Sequence, residues 1–317
     1  MTVIRSPAEF NSGDLYVDLR DSVGVPLFLK CEGFNFARSI KLKAATEMVE
    51  GAERRGVLRP GMTIVESSSG NLGVALSMLA ASRGYRFVCV TDAHCTVSSR
   101  RMMQALGAQV HVITEPKAVG GFLAARIEHV RELCAARPGT VWLNQYTNPD
   151  NSGAHYRRTG PELLAAFPGV EILFVGAGTT GTLMGCARYL RDRGHPAKVV
   201  AVDVDGSVTF GGPSKVRKIP GLGTGIRPEQ LDESLVDDVV IVAERETVSM
   251  CHELASHGFV FGGSTGTVVT GARRWLTRHR PGEDVVAVAI APDLGEGYLD
   301  SVYDDDWVRK LPGCPGS

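Results

Sequence analysis

Short apolar runs rich in Val, Ile and Phe alternate along this chain with longer segments of helical periodicity. This alternation is typical of βαβ units, in which parallel strands are joined by crossover helices. The candidate strands form two series, separated near Gln145. They are residues 26–30, 62–66, 86–91, 109–113 and 140–143 in the first series, and residues 171–175, 198–204, 239–242 and 285–291 in the second. The pattern predicts an α/β protein built on two mostly parallel sheets.

The length of the chain agrees with two domains. Its 317 residues exceed the size at which one hydrophobic core usually keeps growing. We predict a first domain of residues 1–145 and a second of residues 146–317. Within the second, residues 205–225 form a Gly- and Pro-rich stretch without periodicity, and a loop of this length in a compact domain is often functional.

Charge and cysteine content narrow the class of partner. Lys and Arg total 34 against 35 for Asp and Glu, so no strong net field favours nucleic acid or an anionic membrane. No segment is apolar over the length of a membrane span, and residues 1–13 lack the pattern of an export signal. The 7 cysteines are scattered and never form a CxxC pair. We expect a cytoplasmic protein with a small-molecule ligand, without nucleic-acid or membrane partners.

The first chemical signal is the string ILFVGAGTTGTLMGCARYL, in which a strand ends at Val175 and a helix is predicted from about Gly181. Glycines between them allow a ligand close to the backbone, and the free N–H groups of a helix start attract phosphate. The hydroxyls of Thr179, Thr180 and Thr182 suit a terminal phosphate. A purely structural turn is the simpler alternative.

The same string contains the spacing GxGxxG at Gly176, Gly178 and Gly181, and Asp203 or Asp205 follows the next strand. This is the pattern of a dinucleotide site, in which the acid binds a ribose. A lone GxGxxG is a weak signal, so an NAD-dependent oxidoreductase stands as the rival interpretation.

A second strand, turn and helix lie in IVESSSGNLGVALSML. Its serine hydroxyls, the Asn71 amide and the N–H groups of the helix start form a good receptor for a carboxylate. A serine cap on a core helix explains the same residues without a ligand. Another small-residue turn, GFVFGGSTG, contains Ser264. This serine is either part of a packed turn or a neutral hydrogen-bond partner for a flat cofactor ring.

The third signal is a lysine at a helix start. Ser39 is the predicted N-cap, and Lys41 then lies in the first turn, where the helix dipole disfavours an ammonium group. We therefore expect a lowered pKa for Lys41, which favours its action as a nucleophile or base. Lys43 points elsewhere on the helix and is interpreted as an ordinary surface lysine.

In this order and over nearly the whole chain, these strings resemble the cysteine synthase and cystathionine β-synthase family of fold-type II pyridoxal-phosphate enzymes. The resemblance implies two three-layer αβα domains of the tryptophan synthase β-subunit type, with the cofactor in the cleft between them. It also implies a homodimer, and approximately residues 1–35 packing on the second domain.

The family's site residues are carried over to matching positions of this chain. Lys41 is implied as the catalytic Schiff-base lysine, Asn71 as the partner of the phenolic oxygen, and Ser264 as the partner of the pyridine nitrogen. Residues Gly178–Thr182 are implied as the phosphate cup. The implied cofactor-binding residues are Lys41, Asn71, Gly178, Thr179, Thr180, Gly181, Thr182 and Ser264, and the implied substrate-binding residues are Ser68, Ser69, Gly70, Leu72, Gln145, Arg38 and Arg217.

Within the family, the strings SIKLKAA, ESSSGNLG, IPGLGTG and GYLDSVYDDDWV are most similar to synthases of 2,3-diaminopropionate pathways in siderophore and peptide-antibiotic assembly. This similarity implies β-replacement on O-phospho-L-serine by L-glutamate, which gives N-(2-amino-2-carboxyethyl)-L-glutamate and phosphate. The alternatives in the same fold are a sulfide- or homocysteine-using synthase and a serine dehydratase. A catalytically silent binding protein is a further alternative.

Three departures from the family pattern bear on the substrate. Ala37 and Arg38 replace glycines and bring a guanidinium close to the cofactor entrance. Leu72 replaces a threonine that often follows the asparagine, which disfavours a pure cysteine synthase. The string PDLGEGY also differs from the family's form, without a consequence that can be derived from sequence.

The anionic substrates require cations, for which bidentate arginines are the favoured solution. The histidines show no metal-ligand spacing such as HExxH, so we interpret them as core or surface residues and expect no metal. The candidate cations are Arg38, Arg157, Lys215, Arg217 and Arg227, and the histidines concerned include His94, His111 and His155.

Overall fold

The computed structural model describes residues 3–282 and 284–311, and Cys314 lies outside these ranges. The strands in this part of the chain lie within about two residues of the predicted ones at either end, except for a short additional strand at the start. They are β1 (Tyr16–Asp18), β2 (Phe28–Cys31), β3 (Thr63–Ser67), β4 (Arg86–Asp92), β5 (Gln109–Ile113), β6 (Thr140–Trp142), β7 (Ile172–Gly176), β8 (Lys198–Val204), β9 (Asp238–Val242) and β10 (Ala287–Ala291).

Helices connect the strands as the periodicity predicts. A π-helical turn at His155–Thr159 separates the sixth helix from the seventh. The helices are α1 (Arg20–Val23), α2 (Lys41–Arg54), α3 (Asn71–Arg83), α4 (Val97–Ala105), α5 (Gly121–Ala136), α6 (Pro149–Ala154), α7 (Gly160–Ala166), α8 (Gly181–Asp192), α9 (Glu244–Ser256), α10 (Gly263–His279) and α11 (Asp305–Val308). Within the two described ranges, no helix combines the length and the apolar character that a membrane span requires.

The strands form two sheets. The smaller sheet has the order β5-β4-β3-β6 and is entirely parallel. The larger sheet has the order β1-β2-β10-β7-β8-β9 and is parallel except for the β1–β2 pair at its edge. The predicted α/β class with two mostly parallel sheets is confirmed.

Both sheets are covered by helices on their two faces. In the larger sheet, Phe174 packs on the side of α9 and α10, whereas its neighbour Leu173 packs on the side of α8. In the smaller sheet, Ile64 packs against α2 and α3, and Val65 packs against α5. Successive strand residues point to opposite faces, so each sheet is buried on both sides and the layers are αβα.

Strand β2 lies in the larger sheet, although it comes before every strand of the smaller one. Its Phe28 and Leu29 are in register with Val288 and Ala289 of β10. From their place in the chain, residues 26–30 were predicted to belong to the first series of strands. The pairing of β2 with β10 shows that this grouping was wrong. Strand β1 was not predicted because three half-exposed edge residues give no recognisable alternation.

The start of α2 differs from its predicted form. The N-cap is Ile40, whose N–H donates to the Pro292 carbonyl (2.7 Å), and the helix begins at Lys41. Ser39, the predicted cap, instead forms an isolated β-bridge with Asp293, and its buried hydroxyl has no hydrogen-bond partner among the described residues. The backbone after β10 therefore fixes this helix start, where a side-chain cap was expected.

Lys43 is not a surface lysine: its side chain is only 1% exposed and lies in a buried ion cluster. The cluster consists of Lys30 from β2, Glu32 directly after β2, Lys43 from α2 and Glu162 from α7. Lys43 Nζ lies 2.9 Å from Glu32 and 2.5 Å from Glu162, and Lys30 Nζ lies 3.0 Å from each carboxylate. Burial lowers the pKa of Lys30, but Glu32 and Glu162 outweigh this and raise it overall. These four charges fasten α2 to the larger sheet.

Replacing Lys43 with methionine should lower the free energy of unfolding by about 3 kcal/mol, because it removes half of the positive charge from two carboxylates that are largely shielded from water. Urea unfolding of the purified protein measures this. The matched control is Lys198→Met, which removes a lysine that is exposed in β8, and its effect should stay within about 0.5 kcal/mol. Equal losses in the two variants would contradict the importance of the cluster.

Candidate functional site

A cavity of about 460 Å³ opens between the two sheets, at the carboxyl ends of their parallel strands. Ser68 follows β3, Gly176 ends β7 and Pro292 follows β10, and all three line it. Open α/β sheets bind ligands at this edge, and the volume is typical of a small-molecule site.

The structure brings to this one cavity every residue that the family resemblance implies for binding of cofactor or substrate. The lining includes the residues named from the four strings, and Lys215 in addition. The predicted residues found there are Arg38, Lys41, Ser68, Ser69, Gly70, Asn71, Leu72, Gln145, Gly178, Thr179, Thr180, Gly181, Thr182, Arg217 and Ser264.

Two of the candidate cations lie elsewhere. Arg157 is in an ion pair with Glu47 (2.6 Å), and Arg227 is in an ion pair with Glu233. Neither arginine is among the residues that line the cavity. Lys215 lines the cavity but is paired with Asp205 (2.8 Å). The interpretation of Arg157 and Arg227 as substrate cations therefore has no geometric support.

Lys41 is the first residue of α2, and its half-buried side chain lines the cavity. Burial lowers the pKa of its amine from the ordinary value of 10.5 to about 8, and the negative charge of Asp293 opposes this decrease. The sequence predicted the direction from the helix dipole, whereas burial is the main cause. The amine therefore loses its proton at lower pH than an ordinary lysine does.

The predicted phosphate cup, Gly178–Thr182, lies between the end of β7 and the first turn of α8. A Cβ on Gly181 would lie 2.3 Å from Asn151 Oδ1, and one on Gly178 would lie 2.8 Å from the Gly221 carbonyl, so both positions require glycine. Thr180 has a φ of 64°, and its buried hydroxyl has no partner among the described residues. The first N–H groups of α8 also lack intrahelical acceptors. A free hydroxyl, free N–H groups and a close backbone fit a phosphate.

The turn between β3 and α3 is held by three side chains. Ser68 Oγ accepts from the N–H groups of Gly70 (3.2 Å) and Gly73 (2.9 Å). Gln145 Nε2 donates to the Ser67 carbonyl (2.7 Å). Glu66 supports both segments, because its carboxylate accepts from the N–H groups of Ser67 (2.9 Å) and Gln145 (3.3 Å). These hydrogen bonds fix the conformation of the turn, whose residues line the cavity.

Sequence analysis missed Asp293, which is 1% exposed and lies just after β10. Its Oδ2 accepts from Asn71 Nδ2 (3.0 Å) and from the Tyr298 hydroxyl (2.5 Å). A carboxylate only accepts hydrogen bonds, so it fixes which end of the Asn71 amide faces it. The signal was present, since an acidic residue in PDLGEGY directly follows a buried parallel strand.

Sequence analysis also missed Arg126, which lies in α5, is 6% exposed and lines the cavity. Its Nε lies 3.2 Å from Asp92 Oδ2. Both Nε and Nη1 are buried without a hydrogen-bond partner among the described residues. A buried guanidinium with unused donors is costly unless an anion completes it, so Arg126 marks an anion subsite.

The structure also places Ser264 and the candidate acids of the dinucleotide interpretation. Ser264 is 3% exposed and lies in the first turn of α10. A Cβ on Gly221 would lie 2.1 Å from its hydroxyl, so the long loop of the second domain passes directly over it. Asp203 and Asp205, the two candidate ribose acids of the dinucleotide interpretation, do not line the cavity. Asp203 is fully buried, and Asp205 is paired with Lys215. The geometry therefore places neither candidate acid of the dinucleotide interpretation at the site.

Comparison with known proteins identifies the family. The model of the family described as "Pyridoxal-phosphate dependent enzyme" matches residues 16–291. Two curated relatives, from Ralstonia nicotianae and Cupriavidus metallidurans, are both named N-(2-amino-2-carboxyethyl)-L-glutamate synthase. The first is 39% identical over 92% of this chain and 87% of its own, and the second is 37% identical over 90% and 84%.

A solved structure is also similar to this chain in fold and sequence. It is a lysine-to-alanine variant of O-ureido-L-serine synthase with bound O-ureido-L-serine, 32% identical in sequence, with a TM-score of 0.89 over 96% of this chain and 95% of the other. The strings, the cavity and the relatives agree on one cofactor, and the dinucleotide interpretation is not supported. This chain belongs to the family of pyridoxal-phosphate dependent enzymes.

Proposed function

We propose that this enzyme replaces the phosphate of O-phospho-L-serine with the amino group of L-glutamate, giving N-(2-amino-2-carboxyethyl)-L-glutamate and phosphate. The names of the two curated relatives support this reaction. The observation that carries it is the buried, incompletely paired guanidinium of Arg126 in the cavity. Sulfide would need no such subsite, whereas a dicarboxylic nucleophile does.

The cofactor, when bound, supplies an electron sink that permits loss of the α-proton and of the β-substituent. In our proposal, Lys41 holds it covalently and then acts as the proton acceptor and donor at the α-carbon. Its lowered pKa of about 8 suits both roles near neutral pH. Residues Gly178–Thr182 hold the phosphate, and Ser264 faces the pyridine nitrogen as a neutral partner.

The substrate carboxylate is assigned to the turn at Ser68–Asn71, where the start of α3 provides N–H groups and positive dipole. Gln145 borders the same turn. The Asn71 amide donates one Nδ2 hydrogen to Asp293 and has the second available for the phenolic oxygen. Leu72 packs in the core beneath this turn and offers no hydroxyl to a substrate.

The departing phosphate and the two carboxylates of glutamate call for several positive groups. Basic residues outnumber acidic ones in the cavity wall: it contains Arg38, Lys41, Arg126, Lys215 and Arg217 against Asp92 and Glu296. We assign the distal carboxylate of glutamate to Arg126, because this guanidinium faces the cavity with buried donors that have no hydrogen-bond partner among the described residues. The homodimer, the cytoplasmic location and the diaminopropionate pathway, of a siderophore or a peptide antibiotic, belong to the same proposal.

The reaction itself is tested by incubating the holoenzyme with O-phospho-L-serine and measuring phosphate release and product mass. We expect release to accelerate with L-glutamate and the mass of the N-linked product to appear. L-Glutamine is the matched control, since it has the same shape without the distal charge, and it should react poorly. Release that responds to sulfide and not to glutamate would overturn the proposal.

Arg126→Met should raise KM for L-glutamate about tenfold to a hundredfold, because hydrogen bonds to a charged group contribute roughly 1.5–3 kcal/mol. The visible absorbance of the lysine-bound cofactor should be unchanged. The control is Arg131→Met, which changes an exposed arginine on the same helix. Steady-state kinetics decide: a lower kcat at unaltered KM would place Arg126 outside the glutamate subsite.

The rate at which the cofactor-free protein binds pyridoxal phosphate should rise with pH through about 8, as the Lys41 amine loses its proton. Asp293 raises this pKa, so Asp293→Asn should move the midpoint to lower pH. The control is Asp300→Asn in the exposed part of the same segment, and stopped-flow absorbance provides the measurement. A midpoint near the ordinary lysine value would contradict the burial argument, and an unmoved midpoint in Asp293→Asn would contradict the role of that carboxylate.

A further inference from the structure

His155 is a fully buried histidine that the proposed reaction does not use. It opens the π-helical turn His155–Thr159, and such turns are frequent at functional sites. Its Nδ1 lies 3.0 Å from Thr159 Oγ1, and its Nε2 lies 3.3 Å from Thr182 Oγ1. Thr182 lines the cavity as part of the phosphate cup. The imidazole therefore links the buried hydroxyl of Thr159 to the hydroxyl of Thr182, which lines the cavity.

The imidazole of His155 is neutral. Burial lowers its pKa well below the ordinary value, and the charges of Lys43 and Lys41 lower it further. The residue lies close against α8: a Cβ on Gly185 would lie 2.6 Å from the Cβ of His155. A neutral histidine has one donor nitrogen and one acceptor nitrogen, so its two contacts must run in opposite directions.

The two tautomers have different consequences for the cup. If Nδ1 carries the proton, Nε2 accepts the Thr182 hydroxyl hydrogen, and Thr182 then presents only lone pairs to a phosphate. If Nε2 carries the proton, it donates to Thr182 Oγ1, and the hydroxyl hydrogen is free to point into the cavity. Nδ1 then accepts from the Thr159 hydroxyl. Only the second arrangement gives the phosphate a donor, because a phosphate oxygen only accepts.

We propose that Thr159 and His155 form a positioning relay that turns the Thr182 hydroxyl toward the cofactor's phosphate. The relay rests on the assignment of that phosphate to Gly178–Thr182. His155 does not touch the cofactor, and it acts through Thr182. Its burial and neutrality keep the direction of the chain fixed over the pH range in which the enzyme works.

The test compares affinities for pyridoxal phosphate and for pyridoxal, which has the same ring without the phosphate. The amide nitrogen of a glutamine reaches the position of Nε2, whereas that of an asparagine reaches only the position of Nδ1. His155→Asn should raise the dissociation constant for pyridoxal phosphate about tenfold, the effect of one hydrogen bond to a charged group. It should leave pyridoxal binding unchanged, and His155→Gln should retain most of the wild-type affinity. His257→Asn, at an exposed histidine after α9, is the matched control.

A double-mutant cycle separates the relay from a packing effect. Thr182→Val should weaken pyridoxal phosphate as His155→Asn does, and the double variant should be no weaker than Thr182→Val alone. Additive losses, or equal losses for pyridoxal phosphate and pyridoxal, would overturn the relay. Nitrogen-15 NMR of the loaded protein should show His155 protonated at Nε2, and protonation at Nδ1 would also overturn it. A wild-type protein that binds pyridoxal as tightly as its phosphate would instead refute the assignment of the cup.

Discussion

Two lysines and two glutamates that are largely shielded from bulk water hold the lysine-bearing helix in place. Lys43 extends from α2 to Glu32, which directly follows β2, and to Glu162 of α7, and Lys30 of β2 completes the cluster. Buried charges are stable only when their partners are correctly placed, so this cluster permits few positions of α2 relative to the larger sheet. Lys41 lies two residues before Lys43, and its position in the cavity follows from the same contacts.

Most of the residues at the site could be predicted from the sequence, whereas two buried charged residues, Arg126 and Asp293, could not. The four strings were recognisable because each leads through a turn or loop into a helix start, which are local features. Arg126 and Asp293 were missed because their meaning depends on neighbours far along the chain, Asp92 and Asn71. The surface interpretation of Lys43 was wrong for the same reason. Burial of a lysine depends on tertiary partners, which composition and periodicity do not encode.

The chemistry of the cavity depends on charges that are kept apart. Asp293 lies near Lys41 and accepts hydrogen bonds from Asn71 and Tyr298. Its negative charge therefore raises the pKa of the Lys41 amine without neutralising the arginines. Arg126 lies beside Asp92 at the end of β4, in the other sheet from β10. Asp92 and Asp293 are thus buried acids at the carboxyl edges of different sheets. The site exists only where the two edges face each other.

The place of β2 has a consequence for the order of assembly. The smaller sheet contains only residues between Thr63 and Trp142, so its strands can pair while the chain is still being synthesised. The larger sheet pairs β2 with β10, so it stays open at its centre until residues 287–291 have been synthesised. Helix α2 is fastened to that sheet. Lys41 can therefore reach its position in the cavity only after β10 has been made, and any covalent chemistry at this residue has to wait for the second series of strands.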